Sequence, residues 1–299
     1  MSGSAPIRAP ATIAFIGLGK MGVPMAARLL AAGYRLRGYD AAETARTRFA
    51  QAHPQATLRE SVNDCIEGAA AVITMLPDGK IVANVLRGAA AAIAKDAVVI
   101  DMSSSSPIDT EKTGAVLAAR GLAMIDAPVS GGVKRAVDGT LSIMAGGDAA
   151  AVERCLPVLN AMGSAVFRTG KLGSGHAMKA LNNAVSAAGL VAAAEALLIG
   201  QRFGLDPAMM VDVLNASTGK NNSTENKLKQ HILSGSFASG FALGLMAKDL
   251  GTAAELARHL EVAAPLSAAS ARLWQAASAE LGAAADHTEI FRYIRDIDD

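Results

Sequence analysis

The run ATIAFIGLGKMGVPMAARLLAAG, residues 11–33, decides how this chain is to be read. It opens with an apolar strand, turns at glycines, and continues with the apolar spacing of a helix. Gly17, Gly19 and Gly22 stand at G-x-G-x-x-G spacing. The first glycine permits a tight turn, and the second lets a pyrophosphate approach the backbone. The third lets the helix pack closely on the strand, and the helix N-terminus meets the phosphate charge. A second strand follows and ends in Asp40. A carboxylate there accepts hydrogen bonds from an adenosine ribose and repels a 2′-phosphate, which predicts NAD in preference to NADP. Arg46 and Arg48 come next on a helical stretch, where a solvated face is the simpler account.

Working outward, short apolar runs alternate with ten to twenty residues of helical period. The runs are ATIAFIG (11–17), YRLRGYD (34–40), AAVITML (70–76), AVVIDMS (97–103), LAMIDAP (122–128), TLSIMAG (140–146) and AVFRTG (165–170). Strand, helix, strand at this spacing predicts βαβ units and a parallel sheet covered on both faces. After Gly175 no strand pattern follows. Segments rich in Ala, Leu and Met run to about Gly282 with breaks near 204–207, 217–222, 234–240 and 264–265, and read as four or five helices. The expected organisation is an α/β Rossmann-type domain over 11–170, then an all-helical domain over 171–299.

Composition removes several classes. The 28 Lys and Arg against 27 Asp and Glu give a net charge of +1, without the basic excess of a nucleic-acid surface. Cys65 and Cys155 have no metal-like spacing and read as free thiols, so no metal site is expected. The first ten residues, MSGSAPIRAP, lack an apolar core. They predict a frayed arm, no secretory signal and a cytoplasmic protein. The stretch 181–200 is apolar enough to suggest a membrane span, but Asn182, Asn183, Ser186 and Glu195 interrupt it. A buried helix is expected there, with no membrane partner.

The chemical end is narrowed by absence. There is no Tyr-x-x-x-Lys, no zinc-like cysteine and histidine cluster, and no evident His–Asp pairing among the five histidines. On the helix after Gly173, Lys179, Asn182, Asn183 and Ser186 fall at i, i+3, i+4 and i+7 and share a face. A polar stripe on an apolar helix faces either water or a polar cavity. In a dry cleft a lysine loses proton affinity, which suits proton transfer near neutral pH. A second glycine turn, Ser130, Gly131 and Gly132, follows a strand and offers a hydroxyl and successive N–H groups to an anion such as a carboxylate.

Together these segments resemble the 3-hydroxyisobutyrate dehydrogenase (β-hydroxyacid dehydrogenase) family. The resemblance runs from about Thr12 to Arg295. It rests on GLGKMGVPMA (17–26), ITMLPD (73–78), IDMSSSSP (100–107), DAPVSGG (126–132), GSGHAMKALNN (173–183) and AKDL (247–250), in that family's order. It implies that Lys179 is the catalytic lysine, that Asn183 holds the substrate, and that Ser130, Gly131 and Gly132 bind its carboxylate. The cofactor would rest on Gly17, Leu18, Gly19, Lys20, Met21 and Gly22, with Asp40 at the ribose and Leu76 and Pro77 packed against it. Ser104 takes a place where relatives usually carry threonine, on the nicotinamide side. Phe241 and Lys248, seven apart and expected on one helical face, would lie beside nicotinamide and cofactor, with Asp249 lining the site.

The implied activity is NAD-dependent oxidation of a small 3-hydroxy acid by a homodimer or homotetramer. The segment STGKNNSTENK (217–227) would line the substrate mouth, and its Lys220, Asn221, Asn222 and Ser223 suggest a more polar substrate than hydroxyisobutyrate. Three other readings share parts of the pattern. A 6-phosphogluconate-type decarboxylating enzyme has a longer chain with phosphate-binding arginines. An imine reductase typically lacks the lysine. A non-enzymatic NAD-binding regulator in this family carries added reader domains.

Overall fold

The computed structural model describes residues 5–297. Its backbone separates into two compact units, the chain dividing between Lys179 and Ala180.

The first unit is a mostly parallel, Rossmann-type sheet with helices on both faces. Its strands are β1 (Thr12–Ile16), β2 (Arg35–Tyr39), β3 (Thr57–Leu58), β4 (Ala71–Thr74), β5 (Val98–Asp101), β6 (Ala123–Asp126), β7 (Val129–Ser130), β8 (Leu141–Gly147) and β9 (Gly163–Gly170). Between them run α1 (Gly22–Ala31), α2 (Glu43–Ala52), α3 (Val62–Ile66), α4 (Gly79–Ala89), α5 (Pro107–Ala118), α6 (Gly132–Asp138) and α7 (Ala149–Asn160). The strand order is β3-β2-β1-β4-β5-β6-β8-β7, with β9 on β8. The period-2 pleat divides the apolar runs between two cores. Ile13 and Phe15 of β1 pack with Met25 and Leu29 of α1, while Ala14 and Ile16 pack with Val82 and Leu86 of α4. Each of these buried side chains other than Ala14 contributes about 1.5–3 kcal/mol.

Two features depart from expectation. The strand β8 runs antiparallel to β6 and β7, so the sheet is not wholly parallel. The seven-residue α6 is too short to carry the chain back along the sheet for a parallel return. The α7 crossover then restores parallel pairing between β8 and β9. The N-terminal arm is anchored at Ile7 and is not frayed there. Ile7 is buried, its N–H donates to the Arg154 carbonyl at 2.8 Å, and its own carbonyl accepts from the Tyr34 hydroxyl at 3.1 Å. Residues 1–4 of that arm lie outside the described residues.

The second unit is helical. The long helix α8 (Ser174–Phe203) leads into it, followed by α9 (Pro207–Ala216), α10 (Asn222–Asn226), a π-helical turn (Leu228–Leu233), α11 (Leu243–His259), α12 (Pro265–Leu281) and α13 (Ile290–Asp296). Leu190 and Leu197 of α8 pack with Val211, Leu250, Trp274 and Ile290. By length and composition α8 could cross a membrane. It is not buried all round, as the sequence had suggested. Its inner face enters this core, while Val185, Ile199 and Phe203 are 76%, 70% and 84% exposed.

Candidate active site

The glycine turn between β1 and α1 is built by backbone crowding. Gly17 has φ +104°, and a Cβ placed on it would stand 2.2 Å from the Met75 carbonyl oxygen just beyond β4. A Cβ on Gly22 would stand 1.9 Å from the Gly17 carbonyl oxygen. Gly19, by contrast, is exposed and would meet nothing within 4 Å. The turn therefore leaves an open cradle at its middle, beside β1 and β4, where the strand order reverses. No side chain caps α1, which leaves the helix start uncovered beside the cradle, and the Val23 N–H donates to the Gly19 carbonyl at 3.0 Å, closing the turn onto the helix. This fits a dinucleotide pyrophosphate. Leu18 is buried, Lys20 is exposed, and Met21 lies between them in exposure.

At the edge of the cradle, one Asp40 carboxylate oxygen accepts the Leu18 N–H at 2.7 Å and the other the Ala42 N–H at 2.8 Å. The carboxylate is thus held in place and keeps lone pairs for ribose hydroxyls. Arg46 does not simply join a solvated face. It turns back to donate to the Asp40 carbonyl at 2.6 Å and lies 5.8 Å from the centre of the Tyr39 ring. Leu76 follows β4, and its N–H donates to the Ser103 hydroxyl at 2.9 Å; Pro77 is exposed and Ser104 half-buried.

In the second glycine turn, Ser130 is half-buried, and Gly131 and Gly132 are exposed with φ +130° and +66°. These positive values let successive N–H groups converge. Lys179, half-buried, rides on the second turn of α8. Asp126, at the end of β6, holds the start of that helix by accepting the Gly173 and His176 N–H groups, each at 2.7 Å. Gly146 and Gly175 make room for it, since a Cβ on either would lie within 2.8 Å of the carboxylate. His176 in turn lies 3.5 Å from Asp126 and 3.8 Å from Asp101. A His–Asp pairing thus exists that the sequence did not reveal. Its one visible signal was that two apolar runs end alike, in Ile-Asp.

In the second unit, Asn183 is buried and donates to the Asp249 carboxylate at 2.6 Å. Asp249 is itself buried, so it is no surface acid. Asn182 is exposed and donates to the Asn183 side-chain oxygen at 3.2 Å. Lys248 is half-buried on α11, but Phe241 precedes that helix, so the two do not share a helical face. The Phe241 carbonyl accepts the His287 N–H at 2.8 Å instead. The 217–227 segment is less available than its composition suggests. Asn221 caps α10 in a reciprocal box with Thr224, Ser223 is buried, and Lys220 pairs with Glu225 at 2.8 Å.

Burial pushes the Cys65 and Cys155 thiols up to about 12, which leaves them inert. Among the described residues, no group of His, Cys, Asp or Glu is placed to hold a metal ion.

Comparison with known proteins decides the family. Residues 12–170 match the family model for the NAD binding domain of 6-phosphogluconate dehydrogenase, and residues 173–294 match that for NAD-binding of NADP-dependent 3-hydroxyisobutyrate dehydrogenase. A 3-hydroxyisobutyrate dehydrogenase of Pseudomonas aeruginosa is 39% identical over 88% of this chain and 90% of its own length. The chain belongs to the 3-hydroxyisobutyrate dehydrogenase family. It is an oxidoreductase, an NAD(P)-dependent dehydrogenase acting on CH–OH groups. A 2-(hydroxymethyl)glutarate dehydrogenase of Eubacterium barkeri is 37% identical, covering 88% of each chain. The solved structure of a Mycobacterium tuberculosis 3-hydroxyisobutyrate dehydrogenase with L-serine has a TM-score of 0.89 at 34% identity, covering 95% of this chain and 99% of that one.

Proposed function

We propose that this enzyme oxidises the terminal alcohol of a small 3-hydroxy acid, HO–CH2–CH(R)–COO⁻, to the semialdehyde, with NAD as cofactor. The observation that carries this reading is the placement of Lys179. Its helix starts at the carboxyl end of β6, on the sheet edge where the glycine cradle opens. The compounds named with these three relatives share one chemistry. Hydroxyisobutyrate, 2-(hydroxymethyl)glutarate and L-serine all carry a hydroxymethyl group on the carbon next to a carboxylate.

In this mechanism the Ser130 hydroxyl and the Gly131 and Gly132 amides hold the carboxylate and fix the distance to the reacting carbon. Bound NAD⁺ supplies the hydride acceptor. Lys179 takes the hydroxyl proton as the C–H bond breaks and steadies the developing alkoxide; in the reverse direction it returns the proton. Asn183 hydrogen-bonds the substrate hydroxyl. Its amide is oriented by Asp249 and has a second hydrogen for the substrate. The fixed Asp40 carboxylate favours NAD by accepting ribose hydroxyls and repelling a 2′-phosphate. The apolar outer stripe of α8, with Met178, Leu181, Val185, Ile199 and Phe203, suits a subunit contact in a homodimer or homotetramer.

Turnover of a panel of 3-hydroxy acids with NAD⁺ and NADP⁺, for wild type and Lys179→Ala, tests the reading. The expected result is preference for NAD⁺ and a loss in the variant of roughly 10²–10⁴-fold, with NADH binding near normal. Normal turnover in Lys179→Ala would end it.

A further inference from the structure

The carboxyl ends of β5 and β6 hold a buried polar cluster that the chemistry above does not use. Asp101 and Asp126 are register partners on adjacent strands, 1% and 0% exposed. Two neighbouring carboxylates in a protein interior repel each other and lose hydration, so each needs its own hydrogen bonds. Asp101 accepts the Thr74 hydroxyl at 2.9 Å, the Ser103 N–H at 3.0 Å and the Ser105 hydroxyl at 2.8 Å. Asp126 takes the two amides that open α8. Burial raises its carboxyl pKa above the usual range, and the His176 ring beside it works the other way.

The His176 ring, 1% exposed, closes the cluster. Its Nε2 lies 3.1 Å from the Ser103 carbonyl oxygen, which only accepts, so Nε2 carries a hydrogen. Its Nδ1 lies 2.9 Å from the Thr110 hydroxyl, on the first turn of α5. Ser103 also receives the Leu76 N–H and, with Ser105, flanks Ser104. One ring therefore joins the start of the Lys179 helix to the loop that carries the nicotinamide-side residues. Stability alone would be served as well by apolar packing.

We propose that His176 is a positioning residue, which locks the first turn of α8 to the 103–105 loop and so fixes where Lys179 stands beside the cofactor cradle. The proposal rests on Lys179 being the proton-transfer group.

The test compares wild type, His176→Gln, His176→Ala, Lys179→Ala and the His176→Ala/Lys179→Ala double variant, reading kcat, KM, NADH affinity and Tm. His176→Ala is expected to lower kcat at least about tenfold, with KM and NADH affinity within about twofold, since a small misplacement is enough to do this. Gln offers an N–H to Ser103 and an oxygen to Thr110, and should restore most of the rate. In the Lys179→Ala background the His176 change should have no further effect, because the group it positions is gone. Equal losses in both backgrounds overturn the proposal, as does a kcat for His176→Ala within about twofold of wild type. A joint loss of kcat, KM and NADH affinity that Gln fails to repair also overturns it. If His176→Ala does not fold, His176→Asn replaces it. Asn reaches one partner only and must fall below Gln; parity between the two overturns the proposal. Normal turnover in Lys179→Ala alone is a different failure, which removes the reading of the lysine itself.

Discussion

The glycine cradle of the first unit and the polar seam of the second are made in opposite ways. The cradle is specified by missing side chains: Gly17 and Gly22 sit where a Cβ would strike a carbonyl oxygen, and Gly19 where it would fill open space. The seam is specified by side chains that find partners far along the chain. Asn183 meets Asp249 across 66 residues. A site made from backbone can be written in one short motif. A site made from distant pairs cannot, because neither member says where its partner is.

Substitutions can break or sharpen this contrast. Gly22→Ala forces backbone to move and should weaken NADH binding about a hundredfold while lowering Tm. Gly19→Ala should weaken it by about tenfold with Tm unchanged, since the methyl takes only phosphate space. Binding titrations and melting curves on both variants check this; equal Tm losses would show that the cradle has no open middle. A second comparison uses wild-type protein alone. If Ser130, Gly131 and Gly132 cradle a carboxylate, the methyl ester of the best substrate should have a specificity constant lower by tenfold or more, as one charge-assisted hydrogen bond is worth about 1.5–3 kcal/mol. Equal rates would place recognition elsewhere.

Within the seam, Asp249→Asn keeps the shape but removes the charge that orients Asn183. Turnover should fall about threefold to tenfold with Tm little changed; steady-state kinetics at saturating NAD⁺ would reveal a silent Asp249. The smallest effect concerns His287, which burial, reinforced by Lys227, pushes down to about 4. A histidine with a depressed folded-state pKa contributes stability that is present above its ordinary value near 6.5 and is lost as pH falls through about 4. Between those limits wild type should lose a few degrees of Tm that His287→Phe does not lose. Parallel melting curves for the two proteins would show that His287 titrates normally.

The same contrast explains what the sequence made legible. The central strands were visible because their alternate residues feed two cores, so nearly every position before their polar ends is apolar. The two-residue strands Thr57–Leu58 and Val129–Ser130 are too short to show a period. The reversal of β8 leaves no mark in its composition, since strand direction depends on what precedes it. Lys179 and the glycines were visible in their motifs. The Asp101–His176–Asp126 cluster was hidden because its three members come from separate elements and look like ordinary residues in each. Phe241 was misplaced because a spacing of seven suggests a helix face whether or not the helix has begun.

The two tasks of Asp40 constrain how this enzyme could evolve. In the reading proposed above the carboxylate would repel a second phosphate on the ribose, and it also ties down the Leu18 and Ala42 amides. An arginine already stands beside it, anchored over Tyr39. A lineage drifting toward the phosphorylated cofactor therefore needs little invention, but its path is narrow. Asparagine or serine at position 40 keeps an acceptor for the loop while discarding the charge. Most other residues would loosen the turn before Arg46 could be put to use.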